Sequence, residues 1–160
     1  MDTPLKSRPR HGPTTRLGAR HMTAILGSLT IPGRPDEVSG ARSFVARTLA
    51  ASYRAPRIDS EAAMLLTSEL VTNAIVHTSS GSDHGKITVV VVDVPDGVLI
   101  EVTDDGSAGS PVVKGDLFAA NGHGLYLVQQ MAAQWGYLRN PDGTTVWFHL
   151  ATEVTEPESV

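Results

Sequence analysis

The chain has 160 residues and no cysteine. This absence excludes a disulfide framework and any thiolate metal site, and it fits a reducing compartment. No run approaches the roughly 20 apolar residues needed to cross a bilayer, and the first residues lack the apolar region of a signal peptide. A cytoplasmic protein with no membrane partner is the expectation. A basic surplus is missing too, since the formal charge is −4. The general electrostatic footprint for nucleic acid is therefore absent, and no direct nucleic-acid partner is expected. What is present is 41% hydrophobic residues, enough for the core of one domain of common size.

Charge is distributed unevenly. The first residues carry Lys6, Arg8, Arg10, Arg16 and Arg20 against Asp2, with prolines and glycines between them. Residues 1–23 are expected to be a disordered, solvated basic extension. Residues 151–160 are expected to be an acidic tail, which leaves 24–150 as the domain. Periodicity then orders the elements. Residues 24–33 read as a strand ended by Pro32 and Gly33. Residues 35–51 place Val38, Ala41, Val45 and Leu49 at helical spacing behind an acidic first turn. Asp59 or Ser60 caps a longer helix running to about His77. "KITVVVVDV" and "VLIEVTD" are β-branched runs joined through Pro95, Asp96 and Gly97, as in a hairpin. Residues 105–123, rich in Gly, Ser, Ala and Asn, read as a lid. A helix over about 124–134 and the strands "WGYLRN" and "TTVWFHL" complete an α+β chain. Its sheet carries helices on one face, a two-layer α/β sandwich.

Several chemistries fail on inspection. "GSDHGKI" has three residues between its glycines where a phosphate loop needs four, and Ile87 where Ser or Thr should hold magnesium. "GHGLYL" has Leu127 in place of the third glycine of a dinucleotide fingerprint. His77, His84 and His123 lack metal-ligand spacing. There is no G-x-S-x-G elbow.

What remains is "SELVTNAIVHT", residues 68–78. Residues four apart on a helix are nearly eclipsed, so Glu69 and Asn73 lie on one face and can reach one ligand. His77 stands either at the edge of the same site or at a C-cap. "TDDGSAGSP" begins at a strand end, where Asp104 can accept a hydrogen bond and Gly106 lets backbone approach a flat ring. "NGHGLYLV" sets a glycine-rich turn at a helix N-terminus, which favours phosphate. Thr144 follows Gly143 at the start of a strand.

In order and spacing these three boxes resemble the ATP-binding domain of the GHKL, or histidine-kinase-like, superfamily, over about residues 25–150. Within it, "SELVTNA" and the short chain most resemble bacterial anti-sigma-factor serine/threonine kinases and stand-alone actinomycete ATP-binding regulators. The resemblance implies the Bergerat-type fold, with a mixed, mostly antiparallel sheet, and the cofactors ATP and Mg2+. Asp104 is implied to take the adenine amino group, with Thr144 supporting it directly or through water. Asn73 is implied to give its oxygen to magnesium, and Glu69 to act as general base. Gly122, Gly124 and neighbouring backbone, with His123 and Leu125, are implied to cradle phosphate. Implied partners are a sigma factor and an antagonist protein, with homodimerisation.

Two departures stand out. Ala108 displaces the second glycine of the adenine-side motif to Gly109. Asn121 and His123 stand where relatives often carry arginine, and a neutral histidine neutralises less phosphate charge than a guanidinium. The residues thus leave two readings: a kinase with Glu69 as base, or a nucleotide-gated binding module with little transfer.

Overall fold

The computed structural model describes residues 23–53, 55–77, 85–105 and 123–153. The extension of residues 1–22, the polar loop 78–84, most of the expected lid and the tail from 154 lie outside the described residues. The elements follow in the expected order. They are strand β1 (Ala24–Pro32), helices α1 (Val38–Ala50) and α2 (Ser60–His77), and strands β2 (Lys86–Val94) and β3 (Gly97–Asp104). Helix α3 (His123–Met131) and strands β4 (Gln134–Asn140) and β5 (Gly143–Ala151) complete the set.

The five strands form one sheet in the order β1-β2-β3-β5-β4. Every pairing among the described residues is antiparallel, so the expected mixed sheet is wholly antiparallel there. Alternation in β2 and β3 explains the layering. Ile87, Val89 and Val91 are buried and meet Val98, Ile100 and Val102 of β3 on one side. Val146, Phe148 and Leu150 of β5 continue that surface. Over it lie α1, through Ala41, Val45 and Leu49, and α2, through Ala63, Leu66, Leu70 and Val71. Val128 of α3 joins the same cluster. Each such aliphatic side chain contributes about 1.5–3 kcal/mol when fully buried. Among the described residues the helices lie on this side of the sheet alone.

Local signals set the ends of the helices. Asp59 caps α2: its Oδ1 accepts the Ala62 N–H at 2.9 Å and its backbone oxygen that of Ala63 at 3.1 Å. Thr67, fully buried in α2, donates its hydroxyl to Ala63 O at 2.7 Å, so no polar atom is stranded there. The helix expected over 124–134 ends earlier, at Met131. Ala132 N–H still bonds Val128 O, but Ala133 N–H already bonds His149 O, so the sheet ladder takes the chain from the helix. Trp147 faces the side of the sheet away from the helices. It pairs with Glu101 and Gly136, and a Cβ on Gly136 would come within 2.8 Å of its ring.

One end of the sheet is tied to the start of α2. Thr152 N–H bonds Asp96 O in the β2–β3 turn, and Glu153 N–H bonds Arg57 O just before α2. Tyr53, after α1, donates its hydroxyl to the buried Asp93 at 2.9 Å. Gly97 sits at this junction without room for a side chain, since a Cβ there would run into the Leu150 carbonyl oxygen. Gly97→Ala is expected to cost about 1–3 kcal/mol by forcing β3 and β5 apart, measured as a lowered urea midpoint. Asp59→Ala is expected to cost about 1 kcal/mol through the lost cap, read from the same unfolding curves.

Candidate functional site

The opposite end of the sheet holds Asp104 and Thr144, two of the residues that the sequence marks as site candidates. Antiparallel pairing brings the start of β2, the end of β3 and the start of β5 together, with Ile87 opposite Asp104 and Thr103 opposite Thr145. Asp104 follows Ile100 and Val102 in the alternation and so lies on the helix-covered side, only 5% exposed. A carboxylate so buried needs hydrogen-bond donors. One is the backbone N–H of Thr144, 3.2 Å from Asp104 Oδ1. Thr144 is itself buried at 8% exposure. Two residues forty positions apart are thereby joined at one strand end.

The direction of α2 brings its polar stripe to that same end. Arg57, just before the helix, is bonded at the far end, and the chain re-enters the sheet at Lys86, at the site end. The helix has 18 residues, about 27 Å of rise, so its second half approaches the Asp104 end. Glu69 and Asn73 lie in that half, both half-buried beside the buried Leu70, Val71 and Ala74. The helix packs against β3 and α3. Helix α3 hands over to β4 at the far end, where Ala133 bonds His149. Its N-terminus, at His123 and Gly124, therefore points back from that end, the pole at which a helix carries its partial positive charge.

Gly106, Gly109 and Gly122 lie outside the described residues, as do the side chains of His77, His123 and Leu125. Among the described residues no group of three or more His, Asp or Glu could hold a metal ion. Asn73 offers one amide oxygen, the donor type that a hard cation prefers, and such an ion takes its other ligands from phosphate and water. One residue at this end escaped the sequence reading. Asp105 accepts the Lys86 N–H at 2.8 Å and so ties the start of β2 to the segment that leaves β3. The doubled acid "DD" at a strand end was the available signal.

A five-stranded antiparallel sheet with helices on one face, and a buried acid at the end of its central strand, defines a two-layer α+β sandwich of the histidine-kinase-like type. Residues 31–150 match the histidine kinase-like ATPase domain, and the chain belongs to that family. The serine-protein kinase RsbW of Listeria monocytogenes serotype 4a (strain HCC23) is 32% identical over 84 residues, 51% of this chain and 51% of that protein. RsbW of serotype 4b (strain CLIP80459) matches to the same extent. The chain thus spans about half the length of the curated relatives it matches. Among solved structures, the histidine kinase domain of the blue-light activated histidine kinase from Erythrobacter litoralis EL346 aligns with a TM-score of 0.47. That alignment has 21% identity and covers 83% of this chain and 69% of the other.

Asp105→Ala is expected to free the Lys86 amide without unfolding the sheet, a loss of about 1 kcal/mol. Hydrogen exchange at that amide should quicken several-fold while the Val89 and Val91 amides stay protected.

Proposed function

We propose that the protein binds ATP with magnesium and acts as a regulator of the anti-sigma-factor type, phosphorylating a serine or threonine of an antagonist protein. The observation that carries this reading is the buried Asp104 carboxylate, held by Thr144 N–H at the strand end toward which Glu69 and Asn73 run. An ionised acid there accepts a hydrogen bond from the adenine amino group and repels the carbonyl of guanine. Asn73 gives its oxygen to magnesium, which in such sites neutralises phosphate charge. Glu69 draws the proton from the attacking hydroxyl as its oxygen bonds the γ-phosphorus and ADP departs. The N-terminus of α3, with Gly122, His123, Gly124 and Leu125, meets phosphate through backbone N–H groups. In this reading Gly106 lets backbone approach the adenine ring, and Gly109 and His77 are counted among the nucleotide-binding residues. A sigma factor and its antagonist are the partners, with a possible homodimer.

The family membership and the resemblance to a serine-protein kinase support this assignment. The binding-module reading draws on His123 and Asn121, which bring no fixed positive charge to the phosphates. Calorimetry with ATP, ADP and GTP tests the site. Adenine nucleotides should bind selectively, and Asp104→Ala should weaken them about tenfold or more, in line with the 1.5–3 kcal/mol of a hydrogen bond to a charged group. Glu69→Gln should keep ATP affinity and lower phosphate transfer by about 100-fold or more. Wild type that binds ATP yet transfers no phosphate to any antagonist leaves the binding-module reading in place.

A further inference from the structure

The face of the sheet turned away from the helices carries an apolar band beside a row of threonines, Thr30, Thr88, Thr103 and Thr145. The register sets Val90, Val92, Leu99 and Trp147 on it, with Ile25 and Leu138 toward its edges at 71% and 54% exposure. At its centre, on the central strand β3, stands Glu101, between Val90 and Trp147. No other Asp or Glu, and no Lys or Arg, occurs in the three rows that run through Thr103, Glu101 and Leu99. The other titratable group there is His149, beside Asp96 at the far end. Burial pushes the Glu101 carboxyl above its ordinary range. A half-desolvated acid amid aliphatic and indole surface is best served by a cation brought from elsewhere.

We propose that the basic N-terminal segment of this same chain lies across the open face, with the guanidinium of Arg16 or Arg20 on the Glu101 carboxylate. The segment carries Lys6, Arg8, Arg10, Arg16 and Arg20 against the single acid Asp2. It joins the domain at Ala24, on edge strand β1, next to the exposed Ile25 of that face. Arg16 precedes Ala24 by eight residues, a reach of up to about 28 Å. Crossing from β1 to β3 takes two strand spacings, about 10 Å. Leu17, between the two arginines, can lie on aliphatic surface, and a guanidinium beside Glu101 also meets the Trp147 indole, a favoured pairing. A second copy of the chain fits less well, because a two-fold stack centred on this face opposes one Glu101 to another. The inference is independent of the nucleotide reading, since Asp104 lies on the other side of the sheet.

The test compares the full chain with one lacking residues 2–21 and with the full-length Arg16→Ser/Arg20→Ser variant, all carrying Trp135→Phe so that Trp147 is the reporting indole. Deletion should shift Trp147 emission to longer wavelength at every protein concentration. It should also raise the apparent pKa of Glu101, followed by carboxyl 13C NMR, by about one unit. The double arginine variant should reproduce the pKa change. A synthetic peptide of residues 2–21 added to the shortened chain should reverse both effects, and Glu101→Gln should weaken its binding. Unchanged emission and pKa on deletion overturn the proposal. So does a change that grows with protein concentration, which identifies a second copy, or peptide binding indifferent to Glu101→Gln.

Discussion

Because successive residues of a strand face opposite ways, the register that sets Val89 beside Val102 and Val146 also sets Val90 beside Glu101 and Trp147. A slip of one residue in β3 would exchange these two sets and place Glu101 in the core. Burial of Val98, Ile100 and Val102 under α2 forbids that slip, since it would cost several buried aliphatic side chains at about 1.5–3 kcal/mol each. The same constraint delivers Asp104 to the covered side at the strand end. The acid is buried because three residues before it in alternation are core, and its position requires no strain of its own.

The second organising feature is the polarity of α2. Tied to the end of β5 through Arg57 and capped by Asp59, the helix is anchored at one end of the sheet. It carries Glu69 and Asn73 toward the other. Bonds outside the strand ladders tie both ends of the sheet, through Asp96 and Glu153 at one and through Asp104 and Asp105 at the other. The hydrogen bonds of Tyr53, Asp93, Asp96 and Glu153 are thus remote from Asp104.

Family membership rests on residues 31–150, a span that includes both ends of the sheet. An antiparallel sheet covered on one face leaves its strand ends and the adjoining helix termini as the places where backbone and polar side chains can meet a ligand. The chain's own departures, Ala108 and His123, fall in or beside the glycine-rich segments that follow β3 and open α3.

The sequence by itself determined the elements and their order, because periodicity, caps and turn residues act over a few positions. The alternation of "KITVVVVDV", the turn at Pro95–Asp96 and the Asp59 cap are all local signals. It also marked Glu69 and Asn73 as one stripe, since four residues make about one helical turn. Only the tertiary structure decided that β5 inserts between β3 and β4, that Asp104 meets Thr144, that α3 stops at Met131, and that Trp147 faces away from the core. These outcomes rest on contacts between residues tens of positions apart. Their free energy comes from burial and pairing across the sheet, which no local window contains.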